Sequence, residues 1–424
     1  MQHVITRRLL PLALAPFLLL TLFLSACGSG SGTITLTYLN WNKSDQGVQF
    51  DQVVSAFEKA NPSIKIQVQN IDTTQYEQVL QTRLVAGDAP DIVASHGGSE
   101  TFIHEIQAGY FVDLSNQPWV ANEFSGAKAY GSLNGKVYGM ALQQYLIGVI
   151  YNKQIFSQLG LSVPRSWSDF LAVCEKIKAA GLYPVALGYK DSYTAQFIPY
   201  AMGPTAVFGS DPNFNQQLAS GQQTFSGSAA WQGMLADVES LVKNGYTNPS
   251  PNGTSYDQAV QLIATGKAAM FGTGNWSVPD ILKGNPSAQL GMFTMPYKEP
   301  PFTLASSPGQ LMLVTSKSQH VAEAEKFLNF WSSQSELTSY ITAVQGIPNM
   351  KNIHITDHMY DLMLSDEAQG GSHNFLNAEW PAGVDQAMDD GIQGMVDGSA
   401  TISQTLANMD AAYQKNKSSL PPIQ

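Results

Sequence analysis

The stretch from Thr33 to Ser95 reads TITLTYLNWNKSDQGVQFDQVVSAFEKANPSIKIQVQNIDTTQYEQVLQTRLVAGDAPDIVAS. Its pattern predicts strands over 33–39, 64–68 and 91–95, where apolar residues alternate with polar ones or run together before a turn. Between them, helical spacing predicts one helix over 49–59, stopped by Asn61-Pro62, and a second opened by a Thr74/Glu77 capping box. Strand, helix, strand, helix, strand is typical of a parallel sheet covered by helices, so the sequence predicts an α/β fold.

The rest of the chain continues this alternation after a change of pattern near Gly135. Residues 135–142 and 146–151 predict two strands that cross from one lobe to another. Further helices and strands are predicted at 167–180, 184–187, 229–243, 256–264, 268–271, 310–315 and 321–332. Residues 188–226 predict a long irregular stretch. At 424 residues the chain is longer than one hydrophobic core usually supports, so we expect two domains.

The N-terminus has the features of an export signal for a lipoprotein. Arg7 and Arg8 precede an apolar run that ends at residue 24, and Leu24-Ser-Ala-Cys27 matches the bacterial lipobox. We therefore expect a signal peptide over 1–26, a lipid on Cys27, and a Gly/Ser tether over 27–32 that holds the protein at the outer face of the cell membrane. The second cysteine, Cys174, then has no disulfide partner and is predicted to fill the core.

Composition and motifs narrow the function. The formal net charge is -11 and only 13% of residues are charged, which argues against nucleic acid or anionic partners and suits hydroxyl-rich ligands. The sequence contains no HExxH, Walker, Gly-x-Ser-x-Gly or Rossmann glycine motif. His354 and His358 are spaced as a helical pair but complete no known metal motif, so we expect neither a metal nor a cofactor.

Ordered short motifs give the chain a family resemblance. They are NPSIKI (61–66), GDAPDIV (87–93), GKVYG (135–139), IYNK (150–153), PRSWSDF (164–170), GKAAM (266–270), GNW (274–276), the helix 322–331, GIP (346–348) and the tail from Trp380-Pro381 to Gly398. In this order, behind a lipobox, they resemble the extracellular solute-binding proteins of family 1, the group that contains the maltose-binding protein.

The resemblance implies a two-lobed fold of the periplasmic-binding-protein-like type II, with hinge strands and a ligand cleft between the lobes. On this basis the first lobe is expected to comprise 33–143 and 297–332, and the second 144–296 and 333–424. It also implies a monomer that closes on a carbohydrate and delivers it to the membrane permease of an ABC importer, without acting as an enzyme.

Candidate ligand contacts are aromatic and polar residues at strand ends and in loops, because sugars offer C–H faces to rings and hydroxyls to acceptors and amides. The first lobe offers Trp41, Asp45, His96 and Glu100, and the crossing offers Gln144 and Tyr145. The second lobe offers Tyr189, Asp191, Tyr193, Asn275, Trp276 and Trp380. The resemblance favours Trp276 most, because family members stack a sugar on a ring at this place.

Two other functions stay open at this point. A surface-anchored glycoside hydrolase would need two converging carboxylates, which Asp45, Glu100 and Asp191 could supply in principle. A ligand-sensing subunit for a signalling receptor would have the same fold. The sequence does not identify the sugar or polyol, its size, its affinity or the cognate permease.

Overall fold

A computed structural model describes residues 32–41, 47–71, 73–297, 299–355 and 359–417, apart from the side chains of 47, 48, 73, 74 and 100. The predicted signal peptide, Cys27 and the predicted tether up to residue 31 lie outside this range. The strands are β1 (Ile34–Asn40), β2 (Ile64–Asn70), β3 (Ile92–His96), β4 (Ser132–Leu133), β5 (Lys136–Val137), β6 (Gly139–Ala141), β7 (Gln143–Asn152), β8 (Tyr183–Ala186), β9 (Ala268–Gly274), β10 (Leu290–Phe293), β11 (Leu304–Ser307), β12 (Gln310–Val314), β13 (Ile347–Pro348) and β14 (Ser372–His373).

The helices cover both sheets. They are α1 (Gly47–Ala60), α2 (Thr73–Ala86), α3 (Glu100–Gln107), α4 (Ser125–Tyr130), α5 (Lys153–Gln158), α6 (Trp167–Ala179), α7 (Phe197–Gly203), α8 (Phe214–Ser220), α9 (Ala229–Lys243), α10 (Tyr256–Ala264), α11 (Ser277–Gly284), α12 (Val321–Trp331), α13 (Gln334–Val344), α14 (Asp361–Gly370), α15 (Val384–Asp397) and α16 (Ile402–Asn416). Short 3-10 turns lie at Pro118–Ala121, Ser192–Gln196, Pro251–Gly253 and Leu376–Glu379, and a π-helical turn at Pro204–Phe208.

The first lobe is built on a five-stranded sheet in the order β2-β1-β3-β12-β6. β1 is parallel to both β2 and β3, as the opening stretch of sequence predicts, and β12 returns antiparallel between β3 and β6. Leu36, Ile92 and Leu313 are fully buried in its core together with Phe57 and Trp331. The carboxyl ends of β1 and β3 therefore meet at one edge of the sheet.

The second lobe is built around the long strand β7, in a sheet of order β14-β11-β7-β9-β8 with β10 and β13 also paired to β7. Alternate residues of β7 enter two different cores. Ile147 and Val149 pack with α6, α7, α9, α15 and α16, whereas Leu146 and Ile150 pack with α10, α11 and α14. Both faces of this sheet are thus covered by helices, which explains why β7 is apolar along most of its length.

The two sheets are joined where β6 runs into β7 at Leu142 and where β11 runs into β12 at Pro308 and Gly309. A single buried residue, Asn349, connects both crossings. The backbone N–H of Asn349 donates to the carbonyl of Leu142 at 3.0 Å, and its Nδ2 donates to the carbonyl of Pro308 at 2.7 Å. Asn349 therefore holds the connecting segments at a fixed spacing beside the cleft.

The strand pairing corrects the expected lobe boundaries. β11 pairs with β7, so residues 304–307 belong with the second sheet and not, as expected, with the first lobe. Conversely, Leu337 and Ile341 of α13, together with Met350, pack in the core of the first lobe, although the sequence assigned 333–424 to the second. The motifs indicated where lobes change, but only hydrogen bonding and burial determine which sheet each short segment joins.

The stretch 188–226 is also not irregular, contrary to the sequence-based expectation. It contains the turn at Ser192–Gln196, helix α7, the π-helical turn and α8. Every residue of α7 is buried. Pro199, Gly203 and Pro204 lower the helix propensity of this segment, so tertiary burial rather than local preference stabilises it.

Candidate ligand-binding cleft

A cleft of about 470 Å³ lies between the two lobes, within the range of about 300–1,000 Å³ that is usual for small-molecule sites. Aromatic rings from both lobes form much of its wall. The lining side chains are Trp41, Glu77, Ser95, His96, Ser99, Thr101 and Tyr130 from the first lobe and Tyr145, Ile147, Tyr193, Gln196, Phe197, Tyr200, Tyr256, Trp276, Asn374, Phe375, Asn377, Ala378, Trp380, Pro381, Ala382 and Asp385 from the second, with the backbone of Gly97 and Gly383.

On the first lobe, the wall of the cleft is an aromatic stack. Trp41 directly follows β1 and His96 ends β3, and because these strands are parallel neighbours the two rings meet, with centroids 4.4 Å apart and planes 29° apart. Tyr76 meets the indole edge to face at 5.0 Å. The Tyr76 hydroxyl donates to the carbonyl of Ala94 at 2.7 Å, so the ring that supports Trp41 is itself fixed to β3.

His96 is exposed to the cleft, and the walls around it displace part of the surrounding water. This desolvation lowers the pKa of His96 from 6.5 to about 4. The imidazole is therefore neutral at physiological pH. A neutral imidazole offers one N–H donor and one acceptor nitrogen, which suits hydroxyl groups better than an imidazolium does.

On the second lobe, Trp276 stands where β9 ends and α11 begins. Its indole lies over Gly274: a Cβ at that position would come within 2.1 Å of the ring. Tyr145, Phe197 and Phe375 surround the ring edge to face at 5.3, 5.5 and 6.2 Å. Glycine is thus needed at position 274 for the indole to lie flat against the strand, which leaves the ring half-buried at the cleft.

A further group of aromatic residues continues the second wall. Tyr193 and Tyr256 approach each other at 6.4 Å, and the Tyr256 hydroxyl shares a hydrogen bond of 2.7 Å with Ser277 Oγ. Trp380 is only 6% exposed and packs against Trp231 at 5.6 Å, so its ring contributes an edge of the cleft and is mainly part of the core. These contacts fix the rings before any ligand arrives.

Six of the predicted contacts line the cleft: Trp41, His96, Tyr145, Tyr193, Trp276 and Trp380. Two more cannot be placed as side chains. Asp45 lies outside the described residues, and Glu100 is described only as the first residue of α3. Its helix is capped by Ser99, whose Oγ accepts the N–H of Phe102.

The other four predicted contacts have structural roles instead. Asn275 is 4% exposed and both ends of its amide bond to the backbone of β7: Oδ1 accepts from Leu146 N–H and Nδ2 donates to the Gln144 carbonyl. The side chain of Gln144 donates to Ser306 Oγ at 2.6 Å and does not line the cleft. A polar side chain at a strand end can bond either to backbone groups or to a ligand, and the Asn275 amide bonds to the backbone.

Tyr189 and Asp191 are the remaining corrections. Tyr189 is 1% exposed and lies in the core of the second lobe. Asp191 Oδ2 accepts the N–H of Tyr256 at 2.7 Å, so this carboxylate positions a cleft residue and does not line the cleft itself. Asp191 therefore cannot serve as one of the two cleft carboxylates that the hydrolase alternative requires.

Several lining residues were missed by the sequence analysis. Gln196, Phe197 and Tyr200 lie in the segment expected to be irregular, and Asn374 and Phe375 lie in a loop before the turn at Leu376–Glu379. Their only sequence signal was the density of aromatic and amide residues, which also occurs in ordinary cores. Glu77 follows Tyr76 in α2, where the sequence was interpreted only as a helix start.

The described residues also bear on metals and membranes. No three His, Cys, Asp or Glu side chains in the described ranges come together as a metal-holding group. None of the helices in the described part of the chain has both the length and the apolar character to cross a membrane.

A two-lobed α/β architecture with an aromatic-lined cleft between the lobes defines a ligand-binding protein of the clamping type. Comparison with known families agrees. The sequence profile of the bacterial extracellular solute-binding proteins matches residues 40–336, more than half of the chain. The protein therefore belongs to this family, whose members are binding proteins that act outside the cytoplasm.

Individual relatives are distant. The chain is 27% identical over 356 residues to the multiple sugar-binding protein of Streptococcus mutans, covering 79% of this chain and 82% of that one. It is 26% identical over 367 residues to an uncharacterized ABC transporter extracellular-binding protein of Pyrococcus horikoshii, covering 81% and 80%. Among solved structures, the solute-binding protein RafE in complex with raffinose superposes with a TM-score of 0.81 at 22% identity, covering 90% of this chain and 99% of that chain. This last likeness establishes the fold.

Proposed function

We propose that this protein captures an uncharged carbohydrate between its lobes and delivers it unchanged to the membrane permease of an ABC importer. The observation that carries the proposal is the wall of the cleft, where indole rings from opposite lobes, Trp41 and Trp276, stand beside neutral hydrogen-bonding groups such as His96 and Asn374. Rings pack on the C–H faces of a sugar, and amides and imidazole bond its hydroxyls. The names of the relatives, a multiple sugar-binding protein and a raffinose complex, support the same ligand class.

Delivery requires only that the ligand bind one arrangement of the lobes better than another. A sugar that touches both walls would favour a closed arrangement, in which the segments around Leu142 and Pro308 act as the hinge. Of the three carboxylates that the sequence offered to the catalytic rival, Asp191 does not line the cleft, because its Oδ2 accepts the N–H of Tyr256.

The ligand class is tested by thermal unfolding against a panel of neutral mono-, di- and trisaccharides, raffinose included. A true ligand at a hundred times its dissociation constant should add about 2.7 kcal/mol to the free energy of unfolding. Replacing Trp41 by alanine should remove the shift, whereas the matched control Trp167→Ala should retain it, because Trp167 is also half-buried but stacks on Phe170 away from the cleft. A panel without any shift, or chromatography that detects multiple turnovers of a bound sugar, would reject the proposal.

We also propose that a lipid on Cys27 anchors the protein, as a monomer, to the outer face of the membrane. The lipobox in residues 24–27 and the glycine- and serine-rich residues that follow support this location. Expression of wild-type and Cys27→Ser chains tests it: the wild type should sediment with membranes and the variant should not. Equal distribution of the two would exclude the anchor, and light scattering of the soluble form measures its oligomeric state.

A further inference from the structure

The charged groups of the cleft are all of one sign. Glu77 from α2 lines the first wall and Asp385 from α15 lines the second, and no lysine or arginine occurs among the lining residues that the structure describes. Asp385 Oδ1 accepts the adjacent N–H of Gln386. Glu77 is accessible from the cleft, and within the described side chains its carboxylate has neither a hydrogen bond nor an ion pair. The described lining of the cleft therefore carries negative groups and no internal counter-charge.

A buried carboxyl, that of Glu105, lies near Glu77 on the first lobe. Glu105 of α3 is 5% exposed, and neither of its oxygens has a partner among the described residues. Burial, reinforced by the nearby charge of Glu77, raises the pKa of Glu105 to about 8. Burial also raises the pKa of Glu77. Among the described residues no cation lies beside these two carboxyl groups, and because Glu105 is mostly protonated at neutral pH, the negative charge of this wall resides on Glu77.

The opposite wall repeats this arrangement. Asp389 lies one helical turn after Asp385, is 4% exposed, and has an unpartnered Oδ1. Its pKa is raised by burial and by the charges of Asp385 and Asp390. On both lobes, then, a carboxyl that reaches the cleft is backed by a buried carboxyl that an approaching positive charge would stabilise.

The groups on the same wall as Glu77 complement an ammonium group in other ways. Trp41 lines the cleft with an indole, which is the aromatic ring that attracts cations most strongly. His96 is neutral and has an acceptor nitrogen, so it does not repel a cation. Aromatic rings recur in sites that bind ammonium groups, and a carboxylate beside them adds a direct charge pair.

We propose that the first-lobe wall of the cleft, formed by Glu77, Trp41 and His96, is a subsite for a protonated amine, so that the cleft selects amino sugars over their neutral counterparts and rejects sugar acids. This inference rests on the proposed carbohydrate-binding function and narrows the ligand class. Carboxylates also accept hydrogen bonds from sugar hydroxyls, but an ammonium group pairs with Glu77 directly and supplies the positive charge that the described lining lacks. A uronate or a sugar phosphate would bring a second negative charge into the cleft, where the described lining residues include no lysine or arginine.

The test uses matched sugar pairs in which one hydroxyl of each sugar unit is replaced by an ammonium: glucose with glucosamine, galactose with galactosamine, and cellotriose with fully deacetylated chitotriose. Glucuronate serves as the anionic member, and spermidine as an amine that is not a sugar. Dissociation constants are measured by calorimetry for the wild type, Glu77→Gln and the control Glu239→Gln. Glu239 lies on the outer surface of α9 in a pair with Lys243, so its loss changes the net charge equally without touching the cleft.

We expect at least one amino sugar to bind about fivefold more tightly than its neutral partner to the wild type and to Glu239→Gln, with no preference left in Glu77→Gln. Glucuronate should not bind. Three results would overturn the subsite. Every amino sugar could bind equally to or more weakly than its neutral partner, glucuronate could bind more tightly, or the preference for the amino sugar could persist in Glu77→Gln. If neutral sugars bind and amines do not, the subsite fails while the carbohydrate function stands. If only amines bind, spermidine included, and binding depends on Glu77, the subsite stands and the carbohydrate function fails.

Discussion

Replacing Trp276 by alanine should weaken carbohydrate binding about 30-fold while leaving the protein folded. The indole lies flat over Gly274 and meets Tyr145, Phe197 and Phe375 with its edges, so it presents a fixed half-buried ring to the cleft. A sugar face that covers roughly 50 Å² of the ring gains about 1.3 kcal/mol from removal of apolar area from water, and ring contact adds about 0.5–1.5 kcal/mol. The sum of about 2 kcal/mol corresponds to about 30-fold in the dissociation constant.

The assay is calorimetry with the sugar that stabilises the wild type most, together with unfolding of each variant without ligand. Trp276→Phe keeps a smaller ring on Gly274 and should recover part of the affinity. Loss of packing against Tyr145 and Phe197 should cost stability as well, on the order of 2–3 kcal/mol, so binding is compared at a temperature where both proteins are folded. A folded Trp276→Ala that binds with the affinity of the wild type would exclude this ring from the site.

Two further predictions concern the support of the indole and a buried acid. Gly274→Ala places a Cβ within 2.1 Å of the Trp276 ring, so the ring must shift and binding should weaken by about tenfold or more. The control is Gly126→Ala, where a Cβ would contact nothing. Equal sugar affinities of Gly274→Ala and the wild type in calorimetry would contradict the argument. Burial raises the pKa of Glu123 from 4.5 to about 8, although the N–H of Ala141 donates to its carboxyl. The folded chain therefore keeps a proton that the unfolded chain releases between these values, and stability should fall as pH rises from about 4.5 to 8. Glu123→Gln should reduce this fall in melting temperature, and an unchanged slope would show that Glu123 ionises normally.

Much of the first lobe was predictable because its strands have simple patterns. β1, β2 and β3 begin and end within two residues of the predicted bounds, and α9 and α10 match the prediction at both ends. Local signals were strong in these places: Ser228 and Ser255 cap the two helices, and alternation along β2 matches its half-exposed position at the edge of the sheet. Where the local preference and the tertiary environment agree, the sequence alone is sufficient.

The segment 188–226 was not predictable on the same basis. Its helix α7 contains Pro199 and ends in Gly203-Pro204, which local rules assign to loops. The helix forms because its side chains fill the space between β7, β9 and α9, with Ile198 touching the position where Gly272 lacks a side chain. Long-range burial of this kind leaves no periodic signal within the segment itself.

For the site, the sequence could predict which strand ends carry rings but not which polar groups remain available. Trp41, His96 and Trp276 follow directly from their positions after β1, within β3 and after β9. Asn275, one residue from Trp276, has the same apparent signal and yet bonds entirely to the backbone of β7. The difference depends on hydrogen-bond partners that are more than a hundred residues away in the sequence.

Polar groups that have hydrogen-bond partners within the protein belong to the scaffold of the cleft, whereas polar groups without such partners are available to a ligand. Polar side chains near the hinge, Gln144 and Asn349, bond to Ser306 and to backbone carbonyls, and so fix the geometry of the crossings. Glu77 has no such partner among the described side chains, although it stands at the same cleft. A carboxylate that is exposed at the cleft and has no described internal partner is available to pair with a ligand group. The measured effect of Glu77→Gln on unfolding without ligand bears directly on this reasoning: the variant should be at least as stable as the wild type, and a marked loss of stability would mean that Glu77 belongs to the scaffold.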